Sequence, residues 1–147
     1  MTDSRQKGAA FERDVCKMIG EAFDIDVRRN LEQYQVKDMG DIMLKPFLVE
    51  CKRYAQQGSN WFKDDWWEQV KRASQSDYMP VLIYKYDRQP IRVVLPLVAI
   101  NPDFEPDHMM MFVEGFEYSQ DALRPVVMDW DTAAMIMREW LCDDLGA

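Results

Sequence analysis

The sequence predicts an α/β (α+β) fold in one domain: a small mixed β-sheet flanked by helices, with a β-rich C-terminal segment and a closing helix. Three observations predict it. Apolar residues recur at helical spacing near both ends of the chain, and two apolar runs, "PVLIYKY" and "PIRVVLPL", have the length and composition of strands. The third is size: 147 residues, 48% hydrophobic and 30% charged, suit one domain with a single core. No repeat, low-complexity run or Gly/Ser linker marks a boundary, so residues 1–147 are read as one unit.

The elements follow in order. From about residue 5 to 23, Phe11, Val15, Met18 and Ala22 form a helical stripe that Cys16, Ile19 and Phe23 widen. "FDIDVRRNL" has strand character, and "DIML" and "FLVECKRY" are two more strands around Lys45-Pro46. "SNWFKDDWWEQVKRASQ" reads as a second helix, with Ser59 or Asn60 as its N-cap and Asp64 and Asp65 early, where the helix dipole favours anions. The two strong strands are joined by the turn-like "DRQ". "HMMMFVEGF" and "PVVMDW" read as short strands. "DTAAMIMREWLCDDL" reads as the closing helix, capped by Asp131, with Ala133, Met137, Trp140 and Leu141 on one stripe.

Composition narrows the function. No apolar run approaches a membrane span, and the N-terminus has no secretory signal. Cys16, Cys51 and Cys142 are odd in number, far apart and without a CxxC pair. A disulfide framework or a zinc site is therefore not expected, and a cytoplasmic location is. The net charge of −8 is unevenly spread: residues 1–44 carry −2, residues 45–100 carry +3 and residues 101–147 carry −9. A nucleic-acid face is compatible with the basic middle third, whereas strong non-specific DNA binding by the whole molecule is not.

That middle third holds an anomaly, "GDIMLKPFLVECKRY". Side chains alternate across a strand, so Glu50 and Lys52 share one face and Val49 and Cys51 the other. A hairpin pairing Leu44 with Phe47 sets Asp41 opposite Glu50, although Pro46 is an unusual residue for a tight two-residue turn. Carboxylates so placed repel. Either a hard cation such as Mg²⁺ resolves the repulsion with oxygen ligands, or the group is a surface patch neutralised by Lys52. Two further polar residues, Glu12 on the first helix stripe and Gln69 on the second, suggest parts of one site.

"KGAAFERDV", "GDI", "VECKRY" and "WEQVKRA…PVLIYK", in this order and spacing, resemble the PD-(D/E)XK nuclease superfamily. The likeness is nearest to small Holliday-junction-resolvase-like endonucleases of phages and archaea. It covers roughly residues 5 to 95, the expected restriction-endonuclease-like core, and leaves residues 96–147 as a C-terminal elaboration. Gly40 stands where the motif's name has Pro.

The resemblance implies a catalytic set of Glu12, Asp41, Glu50, Lys52 and Gln69. Asp41, Glu50, Glu12 and the Cys51 carbonyl would hold Mg²⁺, with Mn²⁺ able to substitute. It also implies a DNA endonuclease that cuts branched DNA, expected as a homodimer because two symmetry-related strands must be cut. Candidate phosphate contacts are Lys7, Arg13, Arg28, Arg29, Arg53, Lys71 and Arg72, although a solvated surface charge is the default reading of each. "WFKDDWW" offers aromatic faces to splayed bases, but clustered tryptophans more often pack a core. His108 reads as a loop residue. Two rivals stand: the same fold acting on linear or single-stranded DNA, and a non-catalytic acidic binding or regulatory protein.

Overall fold

A computed structural model describes residues 4–25, 42–55, 58–74, 78–106, 110–111 and 115–145. Helix α1 (Ser4–Phe23) is followed by strands β1 (Ile42–Leu44) and β2 (Phe47–Tyr54), helix α2 (Asp64–Ser74), and strands β3 (Met79–Tyr86) and β4 (Arg92–Pro96). The short helix α3 (Leu97–Ile100), a 3-10 turn (Pro102–Phe104), strand β5 (Pro125–Asp129) and helix α4 (Trp130–Leu145) complete the described chain.

The five strands form one mixed sheet in the order β1-β2-β3-β4-β5. Only β2 and β3 run parallel, joined by the crossover that contains α2; the other neighbours are antiparallel. Alternation along the strands makes two cores. On one face Phe47, Val49, Val81, Ile83, Val93 and Leu95 pack beneath Phe11, Val15 and Ile19 of α1 and Ala133, Met137 and Leu141 of α4. On the other, Leu82, Tyr84, Tyr86 and Val94 meet Phe62 and the α2 residues Trp66, Trp67 and Val70. The result is a three-layer α/β architecture, as expected for a restriction-endonuclease-like core.

The β1–β2 hairpin adopts the expected register, Leu44 opposite Phe47 and Ile42 opposite Val49. Its loop is the two residues Lys45 and Pro46, with a cis peptide between them. A cis proline at the third turn position belongs to a different turn class from the Asn-Gly type considered from sequence, and it keeps the same register.

Four expectations shift. Helix α1 stops at Phe23, inside the stretch read as a strand, because Asp24 takes a left-handed conformation (φ 54°). The Ile25 N–H then donates back to the Gly20 carbonyl, closing the helix end. The rest of "FDIDVRRNL" lies outside the described residues, as does His108. Helix α2 begins at Asp64 rather than beside Ser59 or Asn60. The Tyr84 and Tyr86 hydroxyls donate to the Asn60 and Trp61 carbonyls and hold that stretch against the sheet, while Ser59 Oγ accepts from Trp61 N–H.

The C-terminal segment contributes one described strand, β5, which extends the main sheet beside β4. The described residues of "HMMMFVEGF" are turn and loop; buried Met111 reaches the α1-side core from there. A short apolar run does not by itself distinguish a strand from a buried loop. Finally, α4 is capped by Asp129, whose carboxylate accepts from Thr132 N–H at 2.7 Å, and Asp131 lies in the first turn. No described helix is long and apolar enough to cross a membrane.

Ile83 is fully buried at the centre of the sheet. Ile83→Ala should cost about 2–5 kcal/mol through lost burial and a residual cavity, read as a lowered midpoint in urea denaturation.

Candidate active site

Strand β2 changes character halfway along. Phe47 to Val49 are buried and apolar, and Glu50 is then 7% exposed on the α2 face. Two residues on, Lys52 points the same way, its Nζ 3.8 Å from Glu50 Oε1. Lys52 Nζ also donates to Gln69 Oε1 at 3.0 Å. The ammonium beside this buried carboxylate supplies compensating charge and donors. Gln69 arrives from α2 because Trp66, one turn earlier, is anchored in the core beneath it. The structure thus brings together three of the residues expected at the site: Glu50, Lys52 and Gln69.

Asp41 lies outside the described residues. The hairpin register up to Ile42–Val49 is the one on which its expected pairing with Glu50 was built. Glu12 is half-buried on α1, the helix covering the opposite face. Lys7 of α1 bonds Asp87 in the β3–β4 turn, and Arg53 of β2 pairs with the same carboxylate. This tie fixes α1 near the end of β2. Glu12 lies five residues beyond Lys7, about 7.5 Å along the helix axis.

The hairpin's alternating hydrogen-bond pattern turns the Cys51 carbonyl toward the β1 side of β2, in the sheet plane. The Glu50 carboxylate and the Cys51 carbonyl are consecutive hard oxygen donors on β2, the donor type that Mg²⁺ takes. Among the described residues, no group of three or more His, Cys, Asp or Glu could by itself hold a metal ion.

Of the candidate phosphate contacts, Lys7 and Arg53 are engaged by Asp87, and Lys71 pairs with Glu68 at 2.8 Å. Arg13 and Arg72 are exposed on their helices, and Arg28 and Arg29 lie outside the described residues. Beside the site stands a cluster that the sequence reading left as core. Tyr54 stacks on Trp66 with ring centroids 5.0 Å apart, and Lys63 Nζ lies 5.3 Å from the Tyr54 ring centroid. The alternation that joins Glu50 to Lys52 also places Tyr54 on their face, so the signal was present. Burial pushes the Tyr84 phenol up to about 12, so it remains a proton donor to Asn60 throughout the neutral range.

A mixed sheet carrying an ExK strand, with a helix presenting Gln to the Lys, is the arrangement of the PD-(D/E)XK nuclease class. The family described as "Phage putative PDDEXK endonuclease" matches residues 3–143, and the chain belongs to it. The match includes the acidic C-terminal third, which the sequence resemblance did not cover. No curated protein and no solved structure matches the chain.

The Lys7 ammonium, reinforced by the Arg53 guanidinium, holds Asp87 below its usual carboxylate value of 3.8. With the folded-state pKa depressed, the stabilisation is complete above the unfolded value and is lost as pH falls through the folded one. Asp87→Asn should therefore lower thermal stability at neutral pH and flatten the loss of Tm on acidification below about pH 4, measured by circular dichroism melts across that range.

Proposed function

We propose that the protein is a Mg²⁺-dependent DNA endonuclease that cuts branched DNA as a homodimer in the host cytoplasm, with Mn²⁺ able to replace Mg²⁺. The observation that carries this reading is the Lys52 ammonium, held 3.0 Å from Gln69 and 3.8 Å from the buried Glu50 carboxylate. Asp41, Glu50, the Cys51 carbonyl and Glu12 are the residues assigned to the metal. When bound, a divalent ion supplies charge neutralisation at the scissile phosphate and acidifies water.

The chain's own residues do the rest. Lys52 carries three N–H donors, of which Gln69 takes one, and its charge faces where an anionic phosphate would lie. Gln69 fixes the ammonium so that little reorientation is needed when a phosphate oxygen or attacking water arrives. Glu50 fixes it from the other side and directs an electropositive group to the edge where the Cys51 carbonyl emerges. Two copies are needed to cut symmetry-related strands of a junction.

The test is cleavage of a labelled four-way junction, a linear duplex and a single strand of matching sequence, with and without Mg²⁺. Paired symmetric nicks confined to the junction are expected, with loss of about 10²-fold or more in rate for Lys52→Ala, in line with removal of a transition-state donor, and for Asp41→Asn. Both variants should remain folded by circular dichroism and retain DNA binding. Mutant-sensitive cutting of the other substrates would keep the chemistry and remove the branched-DNA preference. Wild-type turnover by Lys52→Ala would refute the assigned site, and no cleavage of any substrate would favour a binding protein.

A further inference from the structure

The face that carries Lys52 continues as an aromatic ledge. Tyr54, the next residue on that face of β2, is 40% exposed and stacks on Trp66, which lies one helical turn before Gln69. Lys63 Nζ lies over both rings, 5.3 Å from Tyr54 and 5.7 Å from Trp66. Beyond it Trp61 is 54% exposed, with one ring face stacked on buried Phe62 at 5.1 Å.

Exposed Trp61 and Tyr54 together make an apolar aromatic patch on that face, the kind of surface that marks an interaction site. The Trp61 ring is also held in place. The Trp61 carbonyl accepts from the Tyr86 hydroxyl at 2.9 Å, and Tyr86 is the register partner of Tyr54 across β2 and β3. The neighbouring Asn60 carbonyl is held by Tyr84 in the same way. The ledge is thus fixed to the end of the two strands that form the candidate active site.

We propose that Trp61, assisted by Tyr54 and Lys63, is a stacking site for an unpaired nucleobase of the DNA whose backbone passes Lys52. This rests on the endonuclease reading and names the feature of the substrate that the site would select. Charge and shape favour this occupant. An indole face offers area to any base, and the Lys63 and Lys52 ammonium groups attract the phosphates on either side. A fully paired duplex keeps its bases stacked on one another and has none to offer.

The experiment is fluorescence anisotropy of labelled oligodeoxynucleotides without divalent ions, so that cleavage does not enter. The probes are a single strand, a duplex with an internal single-stranded gap and a fully paired duplex of equal length. Trp61→Leu should weaken binding of the first two by about tenfold, the scale of one lost base stack, and leave the paired duplex unchanged. Trp61→Phe should restore most of the loss, which a mere folding defect would not do. Equal weakening on all three probes, or unchanged affinity for the gapped duplex, would overturn the stacking site. Cleavage abolished by Lys52→Ala beside an unaffected Trp61→Leu would sink the ledge alone, whereas stacking without cleavage of any substrate would sink the nuclease reading alone.

Discussion

Alternation along β2 is the constraint on which the rest of the molecule depends. One strand must send Phe47, Val49 and Cys51 into the core beneath α1 while sending Glu50, Lys52 and Tyr54 to the α2 face. A slip of one residue would bury two charges beneath α1 and expose the apolar set. Register is therefore strongly specified, and the parallel pairing of β2 with β3 passes it to the rest of the sheet. The same alternation that secures folding gathers the chemistry: the polar half of the strand is tolerable because α2 brings Gln69 to it and the Lys52 charge neutralises Glu50.

The α2 face shows how stability and site geometry share residues. Trp66 and Trp67 are almost wholly buried, and the Trp67 indole N–H donates to the Leu123 carbonyl at 3.1 Å. That bond joins α2 to the segment leading into β5, so the helix bearing Gln69 is held from the sheet below and from the C-terminal third beside it. The acidic third thus contributes to the architecture of the site through its hold on α2.

Much of this was legible in the sequence because it rested on periodicity. The stripe through Phe11, Val15 and Ile19, the apolar runs of β3 and β4 and the parity of Glu50 and Lys52 are all consequences of repeat spacing, and each stands in the structure. What failed depended on partners distant in sequence. The start of α2 is set by two tyrosine hydroxyls from β3, 24 and 25 residues away, which hold Asn60 and Trp61 in a non-helical path. The cap of α4 moved from Asp131 to Asp129 because β5 runs directly into the helix, a boundary that propensity alone does not locate. Gln69 was visible as a polar residue on an inward stripe, but its bond to Lys52 required the crossover that brings α2 over β2.

The charge of −8 need not oppose a polyanionic substrate, because it is unevenly spread: residues 45–100, which hold Glu50, Lys52 and Gln69, carry +3. Residues 101–147 carry −9, and their described strand, β5, lies at the edge of the sheet opposite β1. Three strand spacings separate β2 from β5, about 14 Å. That exceeds the Debye length of about 8–10 Å near physiological ionic strength, so an exposed acid of β5 such as Asp129 is largely screened at β2. Some of the remaining acid is locally engaged: Glu105 is buried and accepts from Ser119 N–H, and Asp121 pairs with Arg124. The electrostatics of the candidate site are set locally, by Lys52, Lys63 and Glu50 and by the exposed α2 acids Asp64, Asp65 and Glu68, more than by the whole chain. Net charge is a poor guide to a partner when one third of a chain carries most of it.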